Sequence, residues 1–399
     1  MSKGTRNVPA LRFKGFSDAW EKRKLGEISD IRGGGTPSTS KPEYWDGEID
    51  WYAPAEIGTQ RYVSGSRRQI TNLGLNKSSA TMLPANKTIL FTSRAGIGNA
   101  AILTKSGATN QGFQSIVVEP ATDVYFLYSE IPEIKRKAIR LAAGSTFLEI
   151  SGKSLSKIQI WLPSFKEQSR IGHLFLQIDN LIAATQGKLD NLEKIKRALL
   201  KHLFDQSMRF RGYSDPWEKR KFGELYKPNK ERNESAEFSS ENTLSIATMT
   251  VNRKGNGAAK TSLLKYKVIR IGDIAFEGHT SKKFAFGRFV LNDVADGIMS
   301  PRFTCLRPIH RQIIQFWKQY IHYEPILRPI LIRSTKLGTM MNELVVPDLL
   351  KQNIRVPSIN EQKLIGKSLS RVDDLIAATQ SKLSSLETLK KALLQGLFI

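Results

Sequence analysis

Residues Leu162–Phe204 read LPSFKEQSRIGHLFLQIDNLIAATQGKLDNLEKIKRALLKHLF, and almost the same stretch returns at Val356–Phe398 as VPSINEQKLIGKSLSRVDDLIAATQSKLSSLETLKKALLQGLF. The copies align without a gap at an offset of 194, with 23 of 43 positions identical, so an internal repeat is the first feature to explain. Each copy opens with a helix start. Pro163 and Pro357 precede the S-x-x-E spacing of a capping box, Ser164 with Glu167 and Ser358 with Glu361. Apolar residues then step by four and three: Ile171, Phe175, Ile178, Ile182, Leu189, Leu192, Leu199 and Leu203, with Thr185 on the same line. Ile365, Leu369, Val372, Ile376, Leu383, Leu386, Leu393 and Leu397 repeat the pattern, with Thr379. This is a heptad stripe, narrower than the apolar face of an ordinary globular helix. Gly172, Gly187 and Gly366 are isolated and only mildly costly. A helix of roughly forty residues would be about 60 Å long.

One such helix cannot bury its stripe alone. Either the two pair as an intramolecular coiled coil, or each docks separately on its own domain. A second repeat favours pairing: Leu11–Ile28, LRFKGFSDAWEKRKLGEI, returns at Met208–Leu225 as MRFRGYSDPWEKRKFGEL. The second copy follows the end of the first long helix. If the halves are equivalent, the first copy must lie beside the end of the second, near Ile399. The expectation is a closed pseudo-two-fold arrangement with antiparallel helices and a globular domain at each end of a rod.

The boundaries expected are a globular domain over 1–163, a long helix over 164–205, a second globular domain over 206–357 and a second long helix over 358–399. Both domains read as α+β. In the first, strands are expected at Thr88–Thr92, Ala100–Leu103, Ser115–Glu119 and Lys157–Leu162, with a helix near Val124–Ala143, after a disordered lead over 1–10. In the second, apolar runs at Val268–Phe276, Phe284–Leu291 and Pro301–Leu306 precede a helix near Gln312–Ile332, and Lys227–Ser240 reads as a charged, loose loop.

A net charge of +24 over 399 residues attracts polyanions, nucleic acid foremost and anionic membrane second. The start, MSKGTRNVPALRF, has no signal-peptide core, and no apolar run approaches 18 residues, so a cytoplasmic product is expected. Cys305, the single cysteine, forms no internal disulfide and reads as a small buried residue.

Catalytic signatures are missing from the sequence. There is no phosphate-cradling ATPase loop, and Gly33-Gly34-Gly35 followed by Thr36-Pro37 reads as a turn rather than a dinucleotide fingerprint. No Asn/Asp-Pro-Pro-aromatic tetrapeptide of amino-methyltransferases occurs, and the five histidines form no H-E-x-x-H pair. Ser145 and Thr146 lack a histidine and carboxylate signature. No paired carboxylates with a basic partner suggest a nuclease metal site. No catalytic residue, metal ligand or cofactor is therefore assigned to this chain.

Binding features lie where the halves diverge. In the first domain, Thr92-Ser93-Arg94 enters a glycine-flexed loop, and Asn110, Gln111 and Gln114 form a polar cluster between apolar runs. Arginine can fork onto guanine, and asparagine or glutamine onto adenine. The second domain offers, at the comparable place, the string from Glu277 to Arg288, with His279, Ser281, Lys282, Lys283 and Arg288 as contact candidates. Lys41, Arg67 and Arg68 suit phosphates. Taken singly, each is also compatible with an ordinary solvated loop.

The two helices carrying D-x-L-I-A-A-T-Q, the preceding P-S-x-x-E-Q, the duplicated R-F-x-G-[FY]-S-D-x-W-E-K-R-K-x-G-E tracts and the N-Q-G-F-Q-S-I string together resemble the specificity subunit of type I restriction-modification enzymes, over essentially the whole chain. The resemblance implies two variable target-recognition domains held apart by an antiparallel coiled coil. It further implies binding to double-stranded DNA, docking of two methyltransferase subunits, and recruitment of restriction subunits with translocase and nuclease activity. S-adenosylmethionine, ATP and Mg²⁺ would belong to those partners. The two half-sites should differ because the domains differ, and rod length should set the gap between them. A stand-alone two-headed DNA-binding regulator or architectural protein is the rival reading.

Overall fold

The computed structural model describes residues 7–144, 148–253, 257–282, 284–339 and 341–399. The chain forms two compact units, Met1–Gln186 with Ser381–Ile399, and Gly187–Gln380. Both repeats became single uninterrupted helices, Phe165–Phe204 and Ile359–Leu397, and each contributes to both units.

In the first unit, a five-stranded sheet has the order 29–33, 114–118, 88–91, 100–103, 62–63; its last pairing is parallel and the others antiparallel. Strand Thr88–Phe91 is buried along its whole length because alternate residues serve two cores. Ile89 and Phe91 face the core that also holds Ile171 and Phe175 of the long helix, whereas Leu90 joins Ala101, Leu103 and Val117 on the opposite side. The second unit repeats this design. Its sheet order is 226–228, 304–308, 274–277, 288–291, with Ile274 and Phe276 facing one core and Ala275, Val290 and Cys305 the other. Cys305 is buried as expected, and burial, followed by the nearby Asp273 charge, pushes its thiol up to about 12.

Within each unit, the end of one long helix lies beside the start of the other, so the two run antiparallel. In the first unit, the Phe398 ring sits 5.7 Å from that of Phe175 and 5.3 Å from that of Phe126, and Lys390 reaches Asp179 at 2.7 Å. In the second unit, Phe204 packs against Phe316 and Tyr320, and Lys196 reaches Asp373 at 2.6 Å. The Leu11 amide donates to the Gly396 carbonyl at 2.7 Å, which places the opening tract against the end of the second helix. Ile171, Phe175, Ile178, Leu189, Ile365, Leu369 and Leu383 are buried; Ile182, Leu192, Leu199, Val372, Ile376, Leu386 and Leu393 are half-buried. The ends of the stripe enter the domain cores, so the alternatives of pairing and docking are both realised, on different turns. Thr185 and Thr379, buried on the same line, satisfy their hydroxyls by donating to Leu181 and Leu375 carbonyls, each at 2.7 Å.

The helix starts keep only the serine half of the expected box, at the second helix, where Ser358 Oγ accepts from Glu361 N at 3.3 Å. Glu167 and Glu361 do not reach back to a cap. Glu167 takes a two-pronged ion pair from Arg12, both contacts at 2.8 Å, and Glu361 takes one from Arg209 at 2.6 and 2.9 Å. A buried carboxylate gains more from a forked guanidinium than from one amide. The neighbouring Gln168 and Gln362 amides instead donate to the Pro163 and Pro357 carbonyls at 2.9 Å.

Smaller departures have local causes. The helix expected at 124–143 is two, Val124–Ser129 and Ile131–Leu141, because Pro132 restarts the chain as a first-turn residue. The one expected at 312–332 divides into Ile314–Tyr320 and Glu324–Ile332, with Pro325 in the same role. The run 268–276 is broken into strands Lys267–Ile269 and Ile274–Glu277 by a turn with Gly272 at φ 95°. The loop at 227–240 is tied down: Asn233 is buried, and Glu231 and Glu237 pair with Arg270 at 2.7 and 2.8 Å. Residues 1–6 of the expected lead, and Ser145 and Thr146, lie outside the described residues.

Candidate nucleic-acid interface

In the first unit, three loops leave the same end of the five-stranded sheet. Gly33 is the register partner of Gln114, Phe91 that of Ala100, and Thr92 bridges Phe113, which brings loops 34–41, 92–99 and 110–113 together. Ser93 N donates to Gly112 O at 2.8 Å, joining two of them. Gly34 permits the third to approach, since a Cβ there would lie 2.0 Å from the Asn110 carbonyl.

Arg94 emerges half-buried beside Gly112, in a turn held open by positive φ at Ala95, Gly96 and Gly98. Asn110 is half-buried, and its carbonyl oxygen accepts from Gly112 N at 2.8 Å, which fixes the side chain. Gln111 is exposed and accepts from the Thr36 hydroxyl, and Gln114 is half-buried at the strand end. Thr92 and Ser93, expected at the surface, are fully buried. The Thr92 hydroxyl donates to Gly96 O at 2.6 Å and accepts from Asn99 N at 2.9 Å, while the Ser93 hydroxyl donates to Glu149 at 3.3 Å. Both staple the loop that carries Arg94, because a tight turn closing on itself needs its own hydroxyls to satisfy backbone groups.

Loop 34–41 leads to a three-stranded sheet of 68–70, 45–52 and 107–109. Trp51 Nε1 donates to Gly35 O at 2.8 Å and Trp45 Nε1 to Ser38 O at 3.1 Å. The Arg68 guanidinium lies 3.5 Å from the Trp45 ring centroid, a cation–π contact that holds it flat while leaving it exposed. Lys41 and Arg67 are exposed. Asp50, buried on the central strand of this sheet, is pushed up by burial but more strongly down by Lys105 at 2.9 Å, Gln69 and Ser66 together, so its carboxyl sits below the usual range. The residues brought together are thus Arg94, Asn110, Gln111 and Gln114, with Thr36 as a partner that its threonine-proline setting did not single out. Lys41, Arg67 and Arg68 lie on the adjoining sheet and its loop.

In the second unit, loop 278–287 leaves strand 274–277 where loop 92–99 leaves strand 88–91, and turn 300–303 precedes strand 304–308 where loop 110–113 precedes strand 114–118. His279, Ser281 and Lys282 are exposed; Lys283 lies outside the described residues. Ser281 Oγ accepts from Phe284 N at 3.1 Å. Arg288, expected to face a ligand, is committed internally: Nε and Nη2 both reach Glu277 Oε2 at 2.6 Å, and Nη2 reaches Ala247 O at 2.6 Å. Glu277 and Arg288 are cross-strand partners, so the ion pair follows from register. The sequence string contained Glu277 without marking it, and turn residues Arg302 and Phe303 carried no signal beyond ordinary loop composition. A cleft of about 340 Å³ at this end of the sheet is bordered by Glu277, His279, Ser300, Arg302 and Phe303.

The model of the type I restriction modification DNA specificity domain matches residues 17–194 and again 214–388. A type I restriction enzyme specificity subunit, MjaIX, from Methanocaldococcus jannaschii is 33% identical over 224 residues, covering 52% of this chain and 52% of that one. The EcoR124I/EcoR124II specificity subunit of Escherichia coli is 30% identical over 178 residues, 43% of each. The chain thus matches about half the length of these curated relatives. The crystal structure of a type I restriction-modification S subunit from M. genitalium superposes with a TM-score of 0.62 at 16% identity, covering 98% of this chain and 99% of that one, and so shares the fold. Two matches to one family model, each spanning one globular segment and most of a long helix, place the chain in the type I restriction modification DNA specificity domain family.

Proposed function

We propose that this chain is the DNA sequence-recognition subunit of a type I restriction-modification assembly, non-catalytic itself, reading a bipartite asymmetric target with one half-site per recognition domain. The observation that carries this reading is the family match on both halves, combined with two sheet ends of the same topology bearing different side chains. In the first unit the candidate contacts are Arg94, Asn110, Gln111 and Gln114, with Lys41, Arg67 and Arg68 for phosphates. In the second they are His279, Ser281, Lys282 and Lys283. Arg288 serves them by holding Glu277. Domain limits at 1–163, 164–205, 206–357 and 358–399 suit this division of labour. Among the described residues, no helix is long and apolar enough to cross a membrane. A cytoplasmic location suits a partner that is double-stranded DNA.

Two methyltransferase subunits would dock on the long helices. Three exposed apolar positions recur at the 194-residue offset, Phe165 with Ile359, Leu181 with Leu375 and Ile195 with Leu389, each 47–52% exposed. A solvent-facing apolar set written twice suits one partner bound twice. Restriction subunits join that assembly, and S-adenosylmethionine, ATP and Mg²⁺ are carried by those partners. The test is co-expression with the methyltransferase subunit, followed by purification and mapping of modified bases. Co-purification and one bipartite modified sequence are expected. A chain that purifies alone and directs no methylation would be a stand-alone regulator.

A further inference from the structure

The cleft in the second unit has an oxygen with nothing to do. Glu277 is 8% exposed, and its Oε2 receives both contacts from Arg288. Among the described residues, its Oε1 has only His279 Nδ1 nearby, at 3.7 Å, which is too long for a hydrogen bond. A buried carboxylate at the rim of a surface meant for a polyanion is unfavourable unless something donates to it. Arg288 offsets its charge and fixes its orientation, and Glu277 borders the cleft with Oε1 taking no hydrogen bond from the described residues.

We infer, building on the recognition reading above, that Glu277 and Arg302 together read a C·G base pair in the second unit's half-site. Among base edges in the major groove, amino donors occur on cytosine N4 and adenine N6. On adenine the donor stands beside the N7 acceptor, which repels a second carboxylate lone pair; cytosine presents its donor without that neighbour. The guanine of the same pair presents O6 and N7, two acceptors that suit a forked guanidinium. Arg302 supplies one: it is exposed, borders the same cleft, and lies 5.3 Å from the Phe303 ring. By the facing of the two strands Phe91 corresponds to Phe276 and Glu277 to Thr92, a fully buried residue whose hydroxyl closes its own turn, so this device belongs to one half only.

The test uses the complete methyltransferase complex. Its bipartite target is first mapped, and methyl transfer is then measured on duplexes carrying each base pair at every position of the half-site that Arg94→Ala leaves intact. Glu277→Gln and Arg302→Ala should each relax discrimination at one and the same C·G position by about 10-fold to 100-fold, with other positions unchanged. Loss of preference at different positions, or retention of full C·G preference in Arg302→Ala, overturns the pairing. The arginine is exposed, so its substitution remains decisive even if Glu277→Gln disturbs the fold. A bipartite target with no C·G pair in this half-site overturns this inference and leaves the recognition reading intact. Absence of any sequence-specific methylation by the unsubstituted complex overturns the recognition reading itself.

Discussion

Arg12 and Arg209 each commit a guanidinium to a glutamate that is 2% exposed or less, Glu167 and Glu361. The Arg12 guanidinium is held more firmly protonated, first by its hydrogen bonds to Glu167 and against the opposing effect of burial. Removing one partner strands a buried charge, so Arg12→Ala should lower stability by about 3 to 5 kcal/mol, and Arg12→Met with Glu167→Leu by distinctly less. Urea unfolding of these variants beside the unsubstituted protein checks this. Glu130 is the opposite case, a buried carboxyl that burial raises to about 7, with Lys137 opposing and Glu133 assisting. Its folded value lies above its unfolded one, so the folded state binds the extra proton. That contribution is fully present below about pH 4.5 and is lost as pH rises towards 7. Glu130→Gln should therefore stabilise the protein at pH 8, by on the order of 2 kcal/mol, and far less at pH 4.5, read from melting temperatures. At the interface, Arg94→Ala should cost about 1 to 3 kcal/mol of discrimination at one half-site and spare the other, measured by methylation of half-site variants.

At the scale of the element, three glycines on the long helices differ in what surrounds them. A Cβ on Gly172 would lie 2.4 Å from Asp123 Oδ1 and 2.9 Å from Phe126 N; one on Gly366 would lie 2.7 Å from Phe316 N. These glycines let a long helix lie against the start of the domain helix beneath it, once in each unit. Gly187 has open space around it. Gly187→Ala should stabilise by about 0.5 to 1 kcal/mol through helix propensity. Gly172→Ala and Gly366→Ala should destabilise by about 1 to 3 kcal/mol despite the same propensity gain, because backbone must move to accommodate the methyl group. Chemical denaturation of the three single variants separates the effects. The sequence could rank these glycines only as mildly costly, since propensity is local and the obstructing atoms come from residues 46 to 51 positions away.

At the scale of the molecule, each unit is finished by the end of a helix that began in the other. Deleting residues 396–399 removes Leu397 and Phe398 from a core containing Trp20, Phe126 and Phe175. Amide exchange should then quicken in strands Thr88–Phe91 and Gln114–Val118, while Ile274–Glu277 and Thr304–Pro308 keep their protection. The two repeats, at offsets of 194 and 197, showed two equivalent halves and led from connectivity to antiparallel long helices with the opening tract at the end of the closing helix. Those facts are carried by period and connectivity, which a sequence records directly. Only the tertiary structure decided that Glu167 and Glu361 serve buried ion pairs, that Thr92 and Ser93 face inward, and that Arg288 is occupied by Glu277. Whether a polar side chain reads a ligand or holds a loop depends on which distant atoms come within hydrogen-bonding reach of it, and no local pattern of residues contains that distance.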